Sequence, residues 1–77
     1  MKTLGRVNGI ISNIVIAKVD GPVGQNEICH VYCGDIRMMA EVIKVIGDEA
    51  YVQVYDSTRG LKIGDKGEFA GHMLAAT

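Results

Sequence analysis

The sequence predicts an all-β fold, a small closed six-stranded barrel, and three observations carry that reading. Candidate turns or bulges recur along the whole chain: Asn8-Gly9, Asp20-Gly21-Pro22, Gly34-Asp35, Gly47-Asp48, Arg59-Gly60 and Gly64-Asp65. The stretches between them are short and rich in valine and isoleucine, the composition of strands. One of them, Ala50–Tyr55, alternates strictly, with Ala50, Val52 and Val54 on one face and Tyr51, Gln53 and Tyr55 on the other. About six strands in 77 residues is close to the shortest chain that closes a barrel, and closure removes the exposed edges that invite aggregation.

Taken in order, Leu4–Ile10 and Ile14–Val19 are two strands flanking Ile11-Ser12-Asn13, with Gly5 and Gly9 placed for sharp coiling or close approach at a barrel seam. Ile28–Cys33 is a third. Met39–Ile46 follows, with Glu41 and Lys44 on opposite faces; its alternation is imperfect, and its inner face stays unassigned. A helix over Asp35–Val45 fits the spacing of Ile36, Met39, Ala40 and Ile43, but the β-branched density of Val42-Ile43-Lys44-Val45-Ile46 opposes it. Gly47-Asp48 then supplies a tight hairpin turn into Ala50–Tyr55. Lys66–Met73 is the last strand, with Gly67 and Gly71 as points of bending.

Length and charge bound the function. A chain of 77 residues makes one small domain spanning residues 1–77, and a domain of that size buries only roughly 60% of its unfolded surface. A typical nucleotide-hydrolysing domain needs more chain. Eight Lys and Arg against nine Asp and Glu leave a net charge of −1, which supplies no field for nucleic acid or an anionic membrane. Asn8, Gly9, Ser12 and Asn13 interrupt the first apolar stretch too early for a signal peptide or membrane span, so the expected location is cytoplasmic.

Each candidate for chemistry meets a simpler explanation. Gly60-Leu61-Lys62-Ile63-Gly64-Asp65-Lys66 evokes a phosphate loop, but three residues separate its glycines where four are needed, and Asp65 intervenes before Lys66. A surface turn accounts for it. Cys29 and Cys33 share a strand face at a separation of roughly 13 Å, too far for a disulfide, and with His30 and His72 they match no zinc spacing. Cys29 and His30 point to opposite faces and make no thiol–imidazole pair. Asp48, Glu49, Asp56 and Asp65 sit in or beside turns, where capping explains them. Tyr32, Tyr51 and Tyr55 are candidate stacking platforms, yet the acidic residues between positions 35 and 56 cancel the field of Arg37, Lys44 and Arg59. A protein neighbour suits these tyrosines better. The residues point to no catalytic, cofactor-binding or metal site.

The run from Ala40 to Asp65 resembles one family, the amino-terminal region of the catalytic A subunit, or alpha chain, of V-type and archaeal-type rotary ATP synthases. That family carries Gly-Glu-Ile-Ile-Arg-Ile-Glu-Gly-Asp, then Gln-Val-Tyr-Glu-Glu-Thr-Ser-Gly-Leu and a Gly-Asp or Gly-Glu pair. Here Ala40 stands for the glycine and Val45-Ile46 for Ile-Glu, Gln53-Val54-Tyr55 is retained, and Asp56-Ser57-Thr58-Arg59-Gly60-Leu61 keeps the arrangement. Gly5-Arg6-Val7-Asn8-Gly9-Ile10 resembles the opening strand, with the usual Ser-Gly-Pro altered at Ser12-Asn13. Phe69-Ala70-Gly71-His72-Met73-Leu74 resembles the exit toward the nucleotide domain.

The resemblance implies a six-stranded barrel in the crown of a hexamer of alternating A and B subunits, in the peripheral sector of a membrane-associated complex. In that complex ATP synthesis or hydrolysis is coupled to proton or sodium-ion movement. The family's P-loop lysine, catalytic glutamate and arginine finger fall outside this stretch, and Mg-ATP or ADP belongs to the nucleotide domain of the parent. The expectation is therefore a non-catalytic fragment of a catalytic subunit, with neighbouring B subunits as partners, and a monomer or weak oligomer when isolated. A stand-alone barrel binding protein or RNA is the alternative, and an enzyme working alone the weakest reading.

Overall fold

The computed structural model describes residues 3–56 and 58–73, the last four by their backbone alone. Six strands, β1 (Thr3–Ile11), β2 (Ile14–Val19), β3 (Glu27–Cys33), β4 (Ile36–Ile46), β5 (Glu49–Val54) and β6 (Lys66–Met73), close into an antiparallel barrel in the order β1-β2-β5-β4-β3-β6. All-β architecture, strand number and closure match the expectation, as does pairing of the fourth strand with the fifth.

The expected boundaries hold to within a residue or so, except at the start of β4. That strand begins at Ile36 rather than Met39, because the two-residue turn Gly34-Asp35 lets the ladder to β3 start immediately, at Cys33↔Ile36 and Tyr32↔Arg37. Gly47 has φ +61° at the first of two loop residues, the position where a hairpin turn matching strand twist demands a positive φ. At the other end of β5 the ladder stops at Val54, so Tyr55 lies just beyond the strand with its N–H donating to the carbonyl of Met39.

The interior is narrow, and the sequence fills it with small and β-branched side chains: Val15, Ala40, Val42, Ala50 and Val52 are fully buried. Phe69 is the one aromatic among the described core residues. Its ring sits by the β1 seam, where a Cβ added to Gly5 would lie 3.0 Å from the Lys18 carbonyl oxygen and 3.1 Å from Phe69 Cε1. Gly5 is thus a residue of close approach, as its place in the first strand suggests. Asn8-Gly9 does not turn the chain; it is a bulge within the β1–β2 pairing, between Val7 and Gly9.

A second bulge explains why β4 alternates poorly. Met38, Ala40 and Val42 face the core, but the register with β5 slips between Val42 and Lys44. The extra residue returns Lys44 to the outer face, opposite Tyr51, while Glu41 also faces out, opposite Gln53. The two were expected on opposite faces of a regular strand; the bulge puts both outside. Between β5 and β6 a loop drops Leu61 into one end of the barrel, 8% exposed, and ties itself down through Thr58 Oγ1 donating to the Ser12 carbonyl.

Candidate functional site

The Gly60–Lys66 loop is held by the fold's own hydrogen bonds. The Lys62 N–H donates to Asp65 Oδ2 at 2.8 Å, and the Asp65 N–H returns to the Lys62 carbonyl at 3.1 Å. Gly64 N–H donates to the Val7 carbonyl, Val7 N–H donates to the Asp65 carbonyl, and the Arg6 guanidinium donates to the Gly64 carbonyl. These bonds extend the β1–β6 pairing into the loop. A carboxylate already occupies the Lys62 N–H, an amide a phosphate loop would keep for its ligand. The arrangement is a turn.

Cys29 is buried and Cys33 half-buried, both free thiols on the core side of β3. Burial, and then the charge of Glu27, push the Cys29 thiol up to about 12, so it stays protonated and unreactive. His30 occupies the adjacent, oppositely directed position. The His72 side chain lies outside the described residues. Among the described residues no group of three or more His, Cys, Asp or Glu is disposed to hold a metal ion. No buried side-chain polar atom among them lacks a hydrogen-bond partner. No helix among them is long and apolar enough to cross a membrane.

The tyrosines do not form one platform. Tyr32 leaves β3 and donates to Glu68 Oε1 at 2.9 Å; Tyr55, beyond β5, donates to Glu41 Oε1 at 2.6 Å; Tyr51 lies under Lys44 Nζ, 5.5 Å from its ring centroid. Strand β4 separates Tyr32 from the other two. The hydrogen bond to Glu41 raises the Tyr55 phenol above its ordinary range. Of the turn carboxylates, Asp48 lies 3.8 Å from Lys18, Asp65 caps the Lys62 turn, and Glu49 accepts from the Asn8 amide. Each serves the fold.

Two surfaces emerge that linear spacing did not reveal. On one side, Lys66, Arg6 and Lys18 stand in register across β6, β1 and β2. They border a recess of about 470 Å³ over Gly5 and Val19, with Asp20 at its end. Lys66 is 3.7 Å from Glu68 and Lys18 pairs with Asp48, so acids flank this row of cations. On the opposite side, Met39, Ile43 and Ile46 project from β4, with Tyr55 beside Met39, all substantially exposed. Neither was legible, because both are assembled by cross-strand register and, on β4, by the bulge.

The closed order of six antiparallel strands defines the class of small β-barrel domains. The chain belongs to the ATP synthase alpha/beta family: the description of that family's beta-barrel domain matches residues 7–71. Similar proteins include the V-type ATP synthase alpha chain 1 of Treponema pallidum (strain Nichols), 40% identical over 74 residues, which are 96% of this chain and 13% of that protein. The V-type ATP synthase alpha chain of Borreliella afzelii (strain PKo) shows the same identity and coverage. That of Chlamydia trachomatis serovar D is 39% identical over 74 residues, 96% of this chain and 12% of the relative. The chain thus spans about an eighth of the length of these relatives.

Proposed function

We propose that residues 1–77 form one non-catalytic crown barrel of a V-type ATP synthase alpha chain, the catalytic A subunit, placed between B subunits in an alternating A/B hexamer. The barrel holds the ring together while nucleotide domains elsewhere in the subunit bind Mg-ATP or ADP and change conformation. The whole complex couples ATP synthesis or hydrolysis to proton or sodium-ion transport, and this barrel works in its cytoplasmic, peripheral sector. The observation that carries the reading is the closed barrel itself, together with its match to the family's beta-barrel domain over residues 7–71. Closure satisfies the backbone internally and leaves two rigid flanks for neighbours on either side.

The test is deletion of residues 1–77 from the full subunit, with assembly followed by size-exclusion chromatography and mass measurement and nucleotide binding assayed on the subunit alone. The expected result is a lower yield of hexamer with nucleotide binding retained. Folded, truncated subunits that assemble with unchanged yield and dissociation rate would refute the role.

A further inference from the structure

We infer that Asn8-Gly9 is a site of spontaneous deamidation, and that the hydrogen bond from the Asn8 amide to Glu49 sets its rate. The reaction needs only the chain and water. The Gly9 backbone nitrogen attacks Asn8 Cγ and gives up its proton to solvent, closing a five-membered imide. The Cγ–Nδ2 bond breaks, and the nitrogen leaves as ammonia. Water then opens the imide at one carbonyl or the other, leaving aspartate or isoaspartate at position 8.

Three observations select this asparagine. The chain holds three, and only Asn8 precedes a residue without a side chain to hinder ring closure; Asn13 precedes the β-branched Ile14, and Asn26 precedes Glu27. Asn8 is also the extra residue of the β1 bulge. Val7 pairs with Ala17 and Gly9 with Ile16, so Asn8 has no partner in the β1–β2 register. Its side chain is exposed, which admits the water that the second step consumes.

What restrains the reaction is Glu49. Asn8 Nδ2 donates to Glu49 Oε2 at 2.9 Å, which draws the amide across to the start of β5. Cyclisation requires the amide to leave that acceptor and swing back over Gly9, so the bond works as a clasp. Once the amide is lost, a carboxylate faces Glu49 where a donor stood, and the two repel. Isoaspartate adds a methylene to the backbone beside Val7, whose N–H and carbonyl bind Asp65 and Gly64. Ageing at one position therefore loosens both the β1–β5 clasp and the anchor of the Gly60–Lys66 loop.

The experiment incubates the folded 77-residue chain in neutral buffer made with water enriched in heavy oxygen, followed by peptide mapping in a mass spectrometer. The Asn8 peptide is expected to gain an acid carrying one heavy oxygen, as a mixture of aspartate and isoaspartate, while Asn13 and Asn26 remain amides. Glu49→Ala is expected to raise the rate roughly fivefold. Should Glu49→Ala fail to fold by circular dichroism, Glu49→Asp, one methylene shorter, carries the same expectation. Gly9→Ala, whose Cβ would lie no closer than 3.4 Å to the Ile16 side chain, is expected to slow the reaction roughly tenfold. An Asn8 that stays an amide in the folded chain but converts in urea overturns the site. Equal conversion of all three asparagines overturns it as well. A folded Glu49 variant that ages at the wild-type rate overturns the clasp.

Discussion

Val54 and Gln53 are neighbours in sequence with opposite fates. Val54 is 1% exposed in the core, while Gln53 faces solvent opposite Glu41. An aspartate at position 54 would be a buried carboxylate without a partner, so Val54→Asp should cost more than about 4 kcal/mol, most of the stability of so small a domain. Gln53→Asp should cost under about 1 kcal/mol, part of it repulsion from Glu41 across the ladder. Urea titration followed by circular dichroism ranks the two, and the reverse order would refute the face assignment. Cys29 gives a second residue-scale prediction. Its thiol is held up to about 12 against an ordinary value of 9.0. The unfolded chain therefore releases this proton first as pH rises, and stability declines from about pH 9 to 12, the contribution being fully present below that window. Stability should fall less steeply over that range in Cys29→Val than in the wild type. At pH 8, Cys33 should react with a thiol reagent well before Cys29; equal native-state rates would contradict the burial.

At the scale of single strands, β1 and β4 both depend on departures from regularity. Gly5 lies where β1 meets β2 and β6, and the nearest obstacle to a Cβ there is the Lys18 carbonyl, part of the backbone. Gly5→Ala should therefore cost about 1–3 kcal/mol through displacement of the seam. Gly47→Ala meets open space and should cost about 1–2 kcal/mol from its φ of +61° alone. Thermal unfolding of both, with a crystal structure of the alanine at position 5, separates the causes: only Gly5→Ala should move strand β2 relative to β1. The bulge in β4 carries the complementary lesson. Its sequence reads as an uncertain strand because one extra residue breaks the period of two, and the same residue returns Lys44 to the outer face.

For the whole molecule, the loop geometry bears on nucleotide. The Gly60–Lys66 turn is pinned to β1 and carries Asp65 on its own amide. Calorimetric titration of the 77-residue chain with Mg-ATP should show no saturable binding, and phosphate release should equal that of buffer. Stoichiometric micromolar binding with turnover by homogeneous protein would overturn this. The same chain should remain a monomer or weak oligomer in dilute solution, because neither flank alone offers a large interface.

The strands, the turns and the inward set Ala50, Val52 and Val54 were legible in the amino-acid sequence. The reasons are local: β-branched runs, glycine at the turns and a period of two in Ala50–Tyr55 act over a few residues and need no partner to be legible. The family was legible too, from the motif around Gln53-Val54-Tyr55. Tertiary structure alone decided the inner face of β4, the outward return of Lys44, the burial of Leu61 from a loop and the cross-strand row of Lys66, Arg6 and Lys18. Those features depend on which residue stands beside which on another strand, and a single bulge shifts that register by one. Residues distant in sequence become one surface only when the barrel closes.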